Sequence, residues 1–350
     1  MSSSSPRTSP EPGRWPSDSA RSAAHESVAG YGPPAPDPYR AEDLAVTIEP
    51  GDLYRLEPAA DLLTAATLVQ AVPGFIDAGS AVRLAVSQLL DSLEHEVVVR
   101  FDHDVLIDYR SRRPRLTFNE DHYEEYISPE LVLYRMTDSE GVSFLLLAGP
   151  EPDFLWDRFT EALMDLVGRF EVQRTVGLLG IPMAMPHTRP VTVTSHATRS
   201  GLVSGANLWR GKVIVPASLG ALLEMRLGEA GHDGFGFAAH VPYYLAESDY
   251  PAASAALLEA TAEATGLALP LGDLIEAGTR VVAAADEQLA GNDEIARVVS
   301  TLERQFDALT TEGGADTGIA ELSTLSAEDI GAQVERFLAQ QNEDDPTPDP

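Results

Sequence analysis

Four short apolar runs in this sequence each end at a loop rich in Gly, Pro, His, Arg and Asp. The runs cover residues 67–72, 144–148, 176–181 and 235–239. Each is short enough to form one buried strand, and each loop contains residues that interrupt a strand. In an open α/β sheet, ligands bind outside the carboxyl ends of the strands, so the four loops predict the position of a site.

Helical periodicity separates these runs. Apolar residues recur on one helical face over residues 80–93, 155–170 and 219–227, whereas 95–101, 131–134 and 213–215 are predicted to form further strands. Strands joined through helices of this length need crossover connections, which favour parallel pairing with helices on both faces. The pattern predicts a three-layer α/β/α core.

The stretch from Asp102 to Phe118 interrupts the alternation. It fits either a hairpin or a long excursion from the sheet, so the sheet is predicted to be mostly parallel or mixed.

After Pro270 the pattern is only helical. A narrow apolar seam is followed by a capping box at Ser326 and Asp329, before a second amphipathic segment that ends at Leu338. The seam could pack on the core of its own chain or on another subunit. Its residues are Ile295, Val299, Leu302, Phe306 and Leu309.

These patterns divide the chain into four parts. Residues 45–270 are predicted to form the α/β/α core and residues 271–342 a helical appendage. Residues 1–44 and 343–350 have little apolar periodicity, and we expect both to be disordered tails because they cannot repay the entropy of ordering.

Charge and composition exclude several partners and sites. The formal net charge of −31 disfavours binding to nucleic acid or to an anionic membrane, since both need a continuous positive surface. Cysteine is absent, which excludes disulfides, thiolate zinc sites and cysteine nucleophiles. No run reaches the length of a membrane-spanning helix, and the first thirty residues lack a secretory pattern, so we expect a cytoplasmic protein.

Eight residues on the loops are candidates for binding a small anionic ligand. The Arg side chains offer forked donors, the His side chains could exchange protons, and the Asp and Gly precede a helix start. Each also has a structural interpretation: Asp77 could cap the helix, the Arg residues could pair with surface carboxylates, and the His residues could satisfy buried groups. The candidates are Asp77, Gly79, Arg110, Arg113, His187, Arg189, His196 and His240.

The sequence assigns no catalytic residue. It has no Gly-x-Ser-x-Gly elbow, no His-Glu-x-x-His and no Walker-type phosphate loop, and no cofactor or metal site is predicted. Whether the protein is an enzyme is left open.

The loops resemble those of the bacterial branch of the proteasome assembly chaperone family. The resemblance spans roughly residues 50 to 310, and the number and order of the matching stretches make it specific. These stretches are residues 74–79, 108–114, 149–153, 180–190, 195–199 and 240–245.

The resemblance implies a core like that of nucleoside phosphorylases, a helical C-terminal part and assembly into oligomers. A trimer is our guess for the number of copies. Eukaryotic relatives dock on proteasome rings through a hydrophobic-Tyr-x tail, whereas this sequence ends in Pro-Asp-Pro350. Docking through such a tail is therefore not expected.

Two functional hypotheses follow. The first is a chaperone-like or adaptor protein that forms homo-oligomers and binds a protein partner. The alternative is a phosphorylase-like or hydrolase-like enzyme, or a binding module, that holds a small anionic metabolite at the carboxyl ends of the strands.

Overall fold

A computed structural model of the chain describes residues 48–61, 63–203, 212, 214–289 and 293–311. The strands are β1 (Tyr54–Leu56), β2 (Thr67–Ala71), β3 (Glu94–Phe101), β4 (Arg115–Asn119), β5 (His122–Ile127), β6 (Val132–Thr137), β7 (Ser143–Ala148), β8 (Arg174–Met183), β9 (Val193–Ala197) and β10 (Asp233–Pro242). The helices are α1 (Ala81–Ser92), α2 (His103–Leu106), α3 (Trp156–Arg169), α4 (Leu219–Glu229), α5 (Pro251–Thr265), α6 (Gly272–Leu289) and α7 (Asp293–Thr311).

Eight strands form one mixed sheet in the order β1-β3-β6-β7-β2-β8-β10-β9. The four central strands, β7, β2, β8 and β10, are parallel, and the strands on both flanks are antiparallel to their neighbours. Buried runs such as Phe144–Ala148 form the centre because both of their faces are covered. The predicted fold class is confirmed, with the mixed form of the sheet.

Helices cover both faces of this sheet. Helices α1, α5 and α6 contribute to one apolar cluster, which contains Leu89, Leu257 and Leu274. Helices α3 and α4 contribute to the other, which contains Phe159 and Leu223. Burial of these faces is the main driving force for folding, and it produces the three layers that the alternating pattern predicts.

The excursion between β3 and β6 contains α2 and a separate two-stranded sheet, the β4–β5 hairpin. Strand β3 ends and strand β6 begins at the edge where the central parallel strands end, because Val132 is opposite Ala148 and Ala148 is opposite Ala71. We call this edge the carboxyl edge. The hairpin therefore projects from the same edge as the predicted site.

The prediction of a strand at residues 213–215 is wrong for its described part. Ile214 and Val215 lie in no strand and are exposed, although their side chains strongly favour β structure. Residue 213 lies outside the described residues.

The C-terminal seam packs within the chain where it is described. Phe306 contacts Met185 in a small cluster, and Val299 and Leu302 are also buried. The side chains of Ile295 and Leu309, the segment from Ser326 to Leu338 and the tails at 1–44 and 343–350 lie outside the described residues. Among the helices that are described, none combines the length and the apolar character needed to cross a membrane.

Candidate functional site at the carboxyl edge of the sheet

The loops after the parallel strands meet at the carboxyl edge. The loop after β2 is joined to the segment after β10, because the Gly79 amide donates to the Ala246 carbonyl at 2.7 Å and the Tyr250 amide donates to the Gly79 carbonyl at 2.8 Å. The loop after β8 reaches the same segment through Tyr244. The sequence therefore placed these loops correctly.

Asp77 and Gly79 shape the start of α1. The Asp77 carboxylate accepts the amides of Val82 at 2.8 Å and Arg83 at 3.1 Å. Burial raises the pKa of Asp77, and these hydrogen bonds oppose the rise. Gly79 has φ +65°, and a Cβ there would lie 2.8 Å from the Tyr250 Cβ atom. Asp77 thus has the structural role that is the alternative to ligand binding, and Gly79 permits the close approach of Tyr250.

Glu151, which was not among the candidates, occupies the start of α4 in the same way. Its carboxylate accepts the Leu219 amide at 2.6 Å, beside the Ser218 side chain that caps Ala221. Burial raises the pKa of Glu151. Helix N-termini are the usual binding sites for anionic ligands in folds of this kind. Here, amides at the starts of α1 and α4 already donate to carboxylates of the chain itself, Asp77 and Glu151.

His187 and Arg189 connect the loop after β8 to the C-terminal helices. The His187 ring is buried, with Nδ1 2.7 Å from the Tyr244 hydroxyl and Nε2 3.2 Å from Asp286 on α6. Arg189 forms a forked pair with Asp307, both bonds 2.8 Å long, and a further bond to Glu303 on α7. This pairing raises the pKa of Arg189, and burial raises the pKa of Tyr244.

His240 and His196 lie on the face of the sheet that α4 covers, opposite the face that α1 and α5 cover. Ala239 and Val241 of β10 point into the α1–α5 cluster, so the intervening His240 points to the other layer. Its two ring nitrogens are each 2.8 Å from a hydroxyl, those of Thr192 and Thr194. His196 is 2.9 Å from Glu224 of α4. His240 and His187 therefore do not face a common pocket.

The buried His240 makes a testable contribution to stability. Burial lowers its pKa from 6.5 to about 4, so unfolded chains take up a proton at a pH where folded chains do not. The free energy of unfolding should therefore fall by about 3 kcal/mol as the pH drops from 6.5 through 4. In urea titrations across this range, His240→Gln should show a smaller fall than the wild type. Equal slopes for the two proteins would contradict this assignment.

Arg110 and Arg113 lie on the exposed stalk that carries the hairpin. The Arg110 Nε atom is 3.3 Å from Asp108, and Arg113 is solvent-exposed. The neighbouring Arg112 anchors the stalk instead, through Asp153 and the Glu151 carbonyl in the loop after β7. Neither Arg110 nor Arg113 has a hydrogen bond to another of the eight candidates among the described contacts.

The hairpin has one apolar face, and its other face is polar apart from Ile127. The ladder pairs Leu116 with Tyr126 and Phe118 with Tyr123, and paired residues share a face. A bulge at Glu125, where φ is +50°, brings Tyr126 onto the same side as Tyr123. Every residue of both strands is exposed, including Tyr123 at 70% and Phe118 at 59%. We call these four side chains the hairpin face.

A second group of exposed apolar side chains lies on the loops of the same edge. Phe75 follows β2, Phe154 follows β7, and Ile214 and Val215 precede α4, whose first turn contacts both loops. We call these four residues the loop patch. Both groups have a signal in the sequence: alternating apolar residues in the hairpin and a β-branched run before α4. Periodicity alone, however, does not distinguish a face that other residues cover from one that is exposed to solvent.

The described residues also form a groove of about 580 Å³ beside β1, β3 and β6, the three strands at one side of the sheet. Its lining includes Arg55, Arg100, His103 and Glu130 and none of the eight candidates. In the part of the chain that the structure describes, no group of three or more His, Cys, Asp or Glu side chains could hold a metal ion.

Comparison with known proteins identifies the family. The model of the PAC2 family matches residues 71–289. The chain belongs to the PAC2 family. This confirms the resemblance to proteasome assembly chaperones, including bacterial members. No curated protein matches the chain.

Three solved structures are similar to this PAC2-family chain. A Mycobacterium tuberculosis protein of unknown function is 46% identical with a TM-score of 0.70, and the match covers 74% of this chain and 92% of that one. A Corynebacterium glutamicum protein of unknown function is 36% identical with a TM-score of 0.71, covering 75% and 99%. A proteasome-assembly chaperone homologue of M. tuberculosis is 26% identical with a TM-score of 0.62, covering 67% and 99%.

Proposed function

We propose that this PAC2-family protein is a chaperone-like protein that forms homo-oligomers and binds a protein partner at the carboxyl edge of its sheet. The observation that carries the proposal is the distribution of side chains at this edge. The buried polar groups are paired with one another, whereas most of the large apolar side chains that are exposed in the described chain point outward there.

Exposed apolar side chains of this number favour a protein contact. A contiguous apolar surface of a few hundred Å² on a soluble protein marks an interaction site, and aromatic residues dominate the energy of such contacts. The hairpin face alone has three aromatic rings, each able to bury about 150–250 Å². By contrast, a site for a small anionic ligand would need free donors in a concave pocket.

The nature of the partner is proposed from the family. One solved relative is a proteasome-assembly chaperone homologue, and we extend that type of activity to this chain. Its substrates would then be protein subunits that expose apolar surface before they assemble.

Direct binding tests the proposal. Purified proteasome subunits of the source organism are titrated into the labelled full-length protein, and fluorescence anisotropy gives the Kd. We expect saturable binding that Phe154→Ser weakens about tenfold to a hundredfold, because one buried phenyl ring contributes about 1.5–3 kcal/mol.

Ile275→Ser is the matched control. Ile275 is 56% exposed on α6, which begins near the opposite edge, where the turn between β6 and β7 contacts Ala268. Its variant should bind like the wild type. Absence of binding, or equal losses in the two variants, would contradict the proposed function.

A further inference from the structure

The segment before α4 exposes apolar side chains to solvent, although side chains of this kind favour burial in a strand. Ile214 is 93% exposed and Val215 is 70% exposed, and both have β-branched side chains that favour a paired strand. Pro216 and Ala217 follow and are also exposed, with no regular secondary structure assigned to either. An exposed apolar segment of this kind is available for contact with another chain.

Phe75 enlarges this segment into a continuous surface. A Cβ atom on Gly74 would lie 3.0 Å from the Ser218 Cβ atom, so the loop that carries Phe75 is in contact with the end of the segment. Phe75 is 66% exposed. Residues 214–217 and Phe75 carry no charge, and we call them the acceptor surface.

The hairpin has the complementary properties. A two-stranded hairpin is marginally stable by itself, and gains stability when a third strand or another apolar layer covers it. Its apolar face is as free of charge as the acceptor surface, whereas its tip is acidic at Glu120 and Asp121. The acceptor surface begins beside Lys212, which is exposed and is the only lysine of the chain.

We infer that the hairpin face of one copy docks on the acceptor surface of a second copy of this chain. This inference rests on the self-association in the proposed function and adds the surface that receives the hairpin. At a net charge of −31, two copies repel each other, and a contact between uncharged surfaces such as these two adds no close like-charge pairs to that repulsion. The Lys212 ammonium group would face the acidic tip.

The contact joins two different surfaces, so one copy of a pair retains a free acceptor surface and the other retains a free hairpin. Such head-to-tail contacts close into rings when the rotation between copies allows it. A closed ring has as many of these contacts as it has copies, whereas an open chain of the same copies has one contact fewer. This favours a closed ring over an open dimer.

Cysteine cross-linking tests the docking in a chain that has no natural cysteine. The variants Tyr123→Cys and Val215→Cys are mixed, left to exchange subunits and oxidised, and disulfide products are separated by mass. We expect a mixed dimer in the mixture and a ladder of linked copies from the chain that carries both substitutions. Leu116→Cys with Ile214→Cys is a second pair, in case one variant folds poorly.

Two controls separate the outcomes. Thr117→Cys, on the polar face of the hairpin, should not cross-link to Val215→Cys. Light scattering on each variant reports whether the oligomer persists. A persistent oligomer with no mixed product from either pair, or a product from Tyr123→Cys alone, would overturn the docking while self-association stands. A wild-type monomer would overturn both.

Discussion

A chain that carries Thr at positions 118 and 123 is expected to remain a monomer at concentrations where we expect the wild type to self-associate. Phe118→Thr and Tyr123→Thr together remove the pair of rings whose centroids are 5.1 Å apart on the hairpin face. Two apolar side chains of this size contribute about 3–6 kcal/mol per contact, which weakens association by about two to four orders of magnitude. Analytical ultracentrifugation over a concentration series measures the change.

The replacement by Thr keeps the β propensity of both positions, so the hairpin itself should persist. Two controls carry the same new side chain elsewhere: Asn119→Thr on the polar face and Ile275→Thr on α6. Both should associate like the wild type. A double variant that keeps the mass of the wild type would show that the hairpin face is not the contact between copies.

Gly149→Ala is expected to lower the free energy of unfolding by about 3 kcal/mol or more. Gly149 has φ +134°, and a Cβ atom there would lie 2.3 Å from the Glu130 carbonyl oxygen and 2.7 Å from the Leu131 Cα atom. The strained backbone alone costs about 1–3 kcal/mol, and both clashing atoms belong to backbone that cannot rotate away. Urea denaturation of the two proteins measures the difference.

Gly141→Ala is the matched control for this prediction. Gly141 also has a positive φ, +87°, but no atom lies within 4 Å of the position of its Cβ. Its substitution retains the strain and removes the clash, so the loss should be clearly smaller. Equal losses would show that the close approach between the loop after β7 and the chain returning from the hairpin is unimportant.

The layered core could be predicted from the sequence because its signals are local. The buried runs of β2, β7, β8 and β10 and the stripe of α3 that includes Phe159 and Leu166 have the periods of strands and helices. The edge where the loops gather follows from parallel pairing alone. These features need no knowledge of which side chains finally touch.

The partners of the candidate residues could not be predicted in this way. His187 meets Asp286 and Arg189 meets Asp307 across about a hundred residues of chain, and no local pattern encodes such a pair. A loop His or Arg has the same sequence signature whether it binds a ligand or a carboxylate of its own chain. Ligand binding by the eight candidates stays a prediction, although most of them have internal partners.

The hairpin face depends on a single irregularity. Without the bulge at Glu125, Tyr126 would point to the polar side, because a one-residue shift reverses every side chain of a strand. The segment at Ile214 and Val215 shows the reverse case, in which strong β propensity produces no strand in the described chain. Both exceptions to the local rules lie at the proposed contact surface, as expected of functional sites.

Hydroxyl-radical footprinting of the wild-type protein tests most directly whether another chain covers the carboxyl edge. Mass spectrometry compares the oxidation of Phe118, Tyr123 and Phe75 in concentrated and strongly diluted samples, with the exposed Met225 on α4 as the reference. We expect the three aromatic side chains to be protected in the concentrated sample and to become reactive on dilution, while Met225 does not change. Full reactivity of all three at both concentrations would contradict this expectation.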